Sequence, residues 1–344
     1  MAASACFDSP TLAIGVAMGG SESQAARQAW AEHPPAARYD TLFHLSNNNL
    51  AAPAIEAAQQ LVAVPGMIAV IGHANSAASL AAATIYNDAR VVQLSPNTTA
   101  ELYSRAGDFS FRLAQSDDAQ ARFLAEVIAE RFVGRRTALL YVNDDYGRGL
   151  RRALLDALPD SAVRVVADLP HLEDGDSAAV RRGMIVLADA QPELIIWLGR
   201  ALQAQRWLPA VRATLGSVPV LASDGLSGLI ALAGWADIGP EVMFVDLVDP
   251  DRSEALRAFR ADYRQRYGAE PIGSQILTYD AVRLLDAAVT DGARTGEAVR
   301  AWLHSLGRSR APFEGVSGPI AFDDNGDVVR PHVLCTMRER LVCR

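Results

Sequence analysis

Three short polar stretches carry the residue types best suited to gripping a small ligand. They are Gly72-His73-Ala74-Asn75-Ser76, Ser95-Pro96-Asn97-Thr98-Thr99 and Asn143-Asp144-Asp145-Tyr146-Gly147. Each follows an apolar run ("MIAVI", "RVVQL", "TALLYV") and precedes a segment of helical composition. A hydroxyl or a bare N–H at the start of a helix meets the positive end of the helix dipole, so Ser76 with Thr98 or Thr99 can hold an anion such as a carboxylate. The same residues also serve as plain helix caps, and any one loop alone fits capping as well.

Catalytic signatures are missing. The six histidines (His33, His44, His73, His171, His304, His332) have no metal-ligand spacing, and there is no Cys-x-x-Cys. "YGRGLRR" lacks the third glycine and the acid of a dinucleotide fingerprint, and "DGLSGL" around Ser227 breaks the Gly-x-Ser-x-Gly elbow. Asp144 and Asp145 are adjacent carboxylates leaving a strand, a pattern that more often begins a turn or caps a helix. No base is positioned for hydrolysis by Asp144, Asp145 or Ser227, so no enzyme activity and no cofactor are expected.

The elements that must position these loops follow from composition and rhythm. The chain has 344 residues, 50% hydrophobic, enough for two compact domains. Its formal charge is −8, and all 32 basic side chains are arginine. That balance argues against a nucleic-acid partner, and the absence of lysine closes P-loop, protein-kinase and Schiff-base readings. Short runs such as "TLAIGVAM", "YDTLFHLS", "MIAVIG" and "RVVQLS" are apolar nearly throughout instead of alternating, as strands of a parallel sheet covered on both faces are. After "DFSFRLAQSDD" the alternation restarts with "TALLYV", "VRVVADL", "ELIIWLG", "VPVLAS" and "EVMFVDL". Helical spacing marks 253–267, 275–290 and 296–306, and the chain closes with "GVSGPIAFDDNGD" and a terminal strand pair. Ligands of such sheets collect beyond the carboxyl ends of the strands, where the three polar loops fall.

Cys335 and Cys343 flank "TMRERLV", a predicted hairpin turn in which the thiols face one another and form a candidate disulfide suited to an oxidising compartment. The third cysteine, Cys6, ends Ala3-Ser4-Ala5-Cys6, a fragment with the look of a processing site, and is a candidate lipid-attachment residue or a free thiol.

Taken together, "VIGHANSAASLAAATIYNDARVVQLSPNTTAEL", "NDDYGRGLRRAL", "FRADYRQRYGAEP", "YDAVRLLDAA" and "GPIAFDDNGD" resemble the type I periplasmic binding proteins of ABC importers, in the leucine/isoleucine/valine-binding branch. The likeness runs in order from Ile68 to Asp327. It implies two doubly wound α/β lobes joined by three crossing strands, one of residues 1–114 plus 249–328, the other of 115–248 plus 329–344. It also implies an exported protein, periplasmic or lipid-anchored and monomeric, that delivers a small-molecule ligand to a membrane permease. By the same resemblance, Asn75, Ser76, Asn97, Thr98 and Thr99 surround the ligand's α-carboxylate, Tyr146 covers the ligand, and Asp224 in "LASDGLSG" binds its α-ammonium. Trp197 and Arg200 fall at a further pocket loop. The chain departs from the family in a short segment between the first two strands, "GGSESQAARQAWAEHPPAARYD", in Asn47-Asn48-Asn49 where an acidic pair is usual, and in Asn97 where a smaller residue is common. Those departures leave open a ligand other than a branched-chain amino acid: an aromatic acid, an amide or a bulkier apolar molecule. A ligand sensor for signalling is a further reading of the same fold.

Overall fold

A computed structural model describes residues 11–34, 39–43, 50–159, 162–172, 177–231, 242–337 and 341–343. The chain begins with alternating strands and helices: β1 (Ala13–Ala17), α1 (Gly20–Glu32), β2 (Asp40–Phe43), α2 (Ala51–Val62), β3 (Met67–Gly72), α3 (Ser76–Asp88) and β4 (Val92–Ser95). A 3-10 turn (Glu101–Arg105) and the short β5 (Ser110–Arg112) complete a sheet of order β2-β1-β3-β4-β5, parallel throughout. The central strands β1 and β3 are buried along their whole length. Successive residues of β1 serve opposite faces: Ile14 and Val16 join the core under α1, whereas Ala13 and Ala17 join that under α2 and α3.

A second sheet follows: α4 (Asp117–Arg131), β6 (Arg135–Val142), α5 (Asp145–Ala157), β7 (Val163–His171), α6 (Ser177–Ala190), β8 (Leu194–Leu198), α7 (Ala201–Leu215), β9 (Val220–Ala222), a 3-10 segment (Asp224–Ala231) and β10 (Val242–Asp246). Its order is β14-β13-β10-β9-β8-β6-β7, parallel from β10 to β7, with β13 (Val333–Met337) and β14 (Leu341–Cys343) added antiparallel. The apolar run "VRVVADL" becomes β7 at the sheet's edge, which is why much of it is exposed and Asp168 pairs with Arg151.

Between β10 and β13 the chain returns to the first sheet. There α8 (Glu254–Tyr267), α9 (Gly273–Thr290) and α10 (Gly296–Ser305) pack Leu256, Phe259, Ile276, Leu277 and Val299 into the same core as Ile14 and Val16. A small hairpin, β11 (Phe313–Gly315) with β12 (Gly318–Ile320), sits beside α9. The chain thus passes between the two cores three times, through 113–116, 247–253 and 329–332. Cys335 and Cys343 oppose one another on β13 and β14 and are joined by a disulfide. Cys6 and Asn47, Asn48 and Asn49 lie outside the described residues.

Two of the recognisable motifs act as internal anchors. Asp280 of "YDAVRLLDAA" is fully buried and accepts the N–H groups of Val316 and Ser317, each at 2.8 Å, which fixes the β11–β12 turn to α9. Asp327 of "GPIAFDDNGD" takes a bidentate pair from the fully buried Arg112, Nε at 2.7 Å and Nη2 at 2.6 Å. Arg112 Nη1 also donates to the carbonyls of Thr99 and Ala100, each at 2.9 Å, tying the loop after β4 to the first crossing.

Candidate ligand-binding cleft

The carboxyl ends of the strands in both sheets open on one cleft of about 650 Å³. Helix starts line it from both sides: Gly19 to Glu22 at α1, Asn75 and Ser76 at α3, and Ser274 and Gln275 at α9 from one lobe; Tyr146 at α5 and Arg200 and Ala201 at α7 from the other. Their N-terminal dipoles converge there, so the cleft suits an anionic group.

The loop after β3 is built by hydroxyls. Asn75 caps α3, its Oδ1 accepting from the Ala78 N–H at 2.9 Å. Ser79 Oγ accepts from the His73 N–H at 3.0 Å and from Thr98 Oγ1 at 2.6 Å, and the Ser95 hydroxyl donates to Thr98 at 2.7 Å. Ser76 Oγ accepts the Ala100 N–H at 3.2 Å, and Asn97 Nδ2 donates to the Ala74 carbonyl at 3.0 Å. Asn75, Ser76, Asn97 and Thr99 line the cleft. Thr98 does not: it is fully buried, its hydroxyl spent within the loop scaffold, so its expected ligand contact is corrected to a structural one.

On the opposite wall Asp224 leaves β9 and lines the cleft while only 6% exposed. Gln120 of α4 clamps it, Nε2 donating to Oδ1 at 2.9 Å and Oε1 accepting the Asp224 N–H at 2.9 Å. The Tyr146 hydroxyl donates to the same Oδ1 at 2.7 Å and accepts the Gly225 N–H at 3.1 Å. Gly225 permits this approach, since a Cβ there would sit 2.9 Å from the Tyr146 oxygen and 2.6 Å from the Gly199 carbonyl. Burial pushes the Asp224 carboxyl above its ordinary range, while Gln120 and Tyr146 hold it down. Among the described residues both side-chain hydrogen bonds fall on Oδ1, and the Gly225 N–H and the Arg200 charge also favour the ionised carboxylate.

Arg200 lines the cleft above Tyr146, its guanidinium 5.2 Å from the ring centroid, and pairs with Asp144 at 2.7 Å. Asp144 at the same time caps α5 through the Gly147 N–H at 2.9 Å. Asp145 pairs with Arg148 on the surface, so the two adjacent carboxylates work apart. Trp197 is corrected from a pocket residue to a core one: it is fully buried, stacked on His171 with centroids 4.7 Å apart. Alternation along β8 points it into the core under α6 and α7, where it meets Trp207. Ser227 lines the cleft, and among the described residues no histidine lines it.

Sequence reasoning missed several lining residues: Glu22, Tyr263, Tyr267, Ser274 and Gln275. For Glu22 a signal existed, because "GGSES" follows β1 as the other polar loops follow their strands. Gln120, inside a helix, carried none. Among the described residues no three His, Cys, Asp or Glu side chains are grouped to hold a metal ion, and no helix is long and apolar enough to cross a membrane.

Two parallel-sheet lobes facing one another across a polar cleft, with the chain crossing three times between them, define a bilobal binding-protein fold. The family model described as periplasmic binding protein matches residues 47–338. The chain belongs to that family, among the type I proteins of its leucine/isoleucine/valine-binding branch. The leucine-specific-binding protein of Salmonella typhimurium is 28% identical over 273 residues, covering 76% of this chain and 70% of that protein. An ABC transporter substrate-binding protein from Desulfitobacterium hafniense, solved in complex with Leu, superposes with a TM-score of 0.79 at 25% identity, over 97% of this chain and 100% of that one. A solute-binding protein of an ABC transporter from R. palustris, solved with benzoate, shares the fold with a TM-score of 0.82 at 17% identity, over 97% of this chain and 95% of that one.

Proposed function

We propose that this chain captures a small carboxylate-bearing ligand, an amino acid or a relative, between its two lobes and delivers it to the membrane permease of an ABC importer. Residues 1–114 plus 249–328 would form one closing body and 115–248 plus 329–344 the other, with the three crossings as hinge. The carrying observation is the clamped carboxylate of Asp224 across the cleft from Ser76 at the start of α3 and from Asn97 and Thr99 in the loop after β4. A zwitterion matches that pair: its carboxylate meets the N-terminus of α3, and its ammonium meets Asp224 Oδ2. Such a ligand touches both lobes, so it binds the closed form better than the open one and shifts the population toward closure. A desolvated charge-assisted contact in the closed cleft contributes more than at a surface.

The protein works as an exported monomer in this reading, with Cys6 as the candidate lipid anchor. Thermal unfolding with a panel of α-amino acids and aromatic acids tests it, because a ligand at 100 times its Kd adds about 2.7 kcal/mol. Stabilisation by α-amino acids supports the reading. Stabilisation only by acids without an amine, the class of the benzoate bound by the R. palustris neighbour, overturns the role given to Asp224.

A further inference from the structure

The carboxylate and ammonium contacts leave the part of the cleft beside α1, α8 and α9 unused. Glu22 of α1 lies there, between two serines: its Oε1 accepts from the Ser274 hydroxyl at 3.3 Å and its Oε2 from the Ser21 hydroxyl at 3.0 Å. Among the described residues it forms no ion pair. On that wall Glu270 pairs with Arg260 at 3.3 Å and also with Arg264, and across the cleft Arg200 pairs with Asp144 at 2.7 Å. Glu22 is therefore a cleft-lining carboxylate with no ion pair among the described residues, whereas Asp224 feels the Arg200 charge.

Two aromatic rings stand beside Glu22. Tyr263 and Tyr267 line the same cleft with centroids 4.6 Å apart, and their hydroxyls reach back to α1, to the Ser21 carbonyl at 3.5 Å and the Gln24 carbonyl at 3.2 Å. Burial first, then the neighbouring Tyr267 and Glu22, push the Tyr263 hydroxyl up to about 12. An aliphatic side chain lodged here would bring no partner for the carboxylate as the lobes close, and an uncompensated desolvated charge is costly. A carboxylate at a cleft wall that carries no cation of its own suits a cationic group, and Tyr267, the more exposed of the two rings, stands beside it.

We propose that Glu22, Tyr263 and Tyr267 form a cation subsite, and that the ligand is an α-amino acid whose side chain ends in an ammonium or guanidinium group. Glu22 is then the specificity-determining residue. The inference rests on the reading that Ser76 and Asp224 hold the α-carboxylate and α-ammonium. A ligand of that kind brings two cations and one anion, which matches the Glu22 and Asp224 carboxylates and the helix starts at once.

Titration calorimetry of the full chain with L-arginine, L-lysine and L-leucine tests it, with Glu22→Gln and Glu22→Leu in parallel and unliganded melting curves to confirm folding. We expect at least one basic amino acid to bind about 10-fold or more tighter than leucine, and Glu22→Gln to lower that ratio by about 10-fold, the loss of roughly one charge-assisted contact. Glu22→Leu should lower it further. Leucine binding more tightly than both basic amino acids, or a ratio unchanged in Glu22→Gln, overturns the cation subsite and leaves the amino-acid reading standing. No binding of any α-amino acid, with binding of benzoate in the same cell, overturns both.

Discussion

Tyr146→Phe removes a single oxygen, and the structure says what that oxygen does. It donates one of the two hydrogen bonds on Asp224 Oδ1, at 2.7 Å, and accepts the Gly225 N–H. A hydrogen bond to a charged group is worth about 1.5–3 kcal/mol, and about 1.4 kcal/mol is one pKa unit. Burial already pushes the Asp224 carboxyl up, and the Gln120 and Tyr146 hydrogen bonds oppose it. Losing one of them should raise it further. Because only the ionised carboxylate pairs with an ammonium, amino-acid affinity should be weaker by about 10- to 100-fold near neutral pH. The sign of the pH effect follows: affinity is lost as pH falls through the Asp224 pKa, and in the variant that loss should begin at a higher pH than in wild type. Calorimetric titration at a series of pH values from acid to weakly alkaline, on wild type and variant with matched melting curves, measures both quantities. An unchanged Kd together with an unchanged pH profile would refute the assignment of Tyr146 and Asp224 to the ammonium site.

Asp327→Asn strips the buried Arg112 of its counter-ion while leaving it the Thr99 and Ala100 carbonyls, and should cost about 3–5 kcal/mol in denaturant unfolding. Asp117 at the start of α4 is held up to about 8, by burial first and then by the Asp224 charge. An acid whose folded pKa is raised contributes stability that is full below its unfolded value and lost as pH rises toward about 8, so wild type should weaken across that window. Asp117→Asn should flatten that slope, read from unfolding curves at acid and alkaline pH. Reduction of Cys335–Cys343, eight residues apart, should lower stability by about 2.5 kcal/mol in the chain-entropy treatment and leave ligand affinity intact, since neither cysteine lines the cleft.

How much of this was legible beforehand depended on how local the cause is. Strands buried on both faces announce a parallel sheet through their own composition, as β1, β3 and β8 do. Ser76, Thr99 and Tyr146 were legible because strand ends are followed by helix starts, and that junction faces the cleft, whereas Asp224 was marked only by the family resemblance. Thr98 and Thr99 share one loop, yet one turns into the scaffold and the other to the cleft. Only the hydroxyl network with Ser79 and Ser95 decides which. Trp197 was ambiguous for the same reason, its direction being set by the register of β8. Gln120 meets Asp224 across 104 residues of sequence, and Glu22 meets Ser274 across 252; both meetings are made by packing between distant segments.

The account turns on an α-ammonium held by Asp224 opposite a carboxylate at the start of α3. The most direct measurement compares, by calorimetry on wild-type protein, the amino acid that binds best in a panel with its des-amino counterpart, identical but for the amine. Binding of the amino acid with loss of at least about 10-fold for the counterpart is the predicted result, a charge-assisted contact being worth about 1.5–3 kcal/mol. Equal affinity for the two would contradict it.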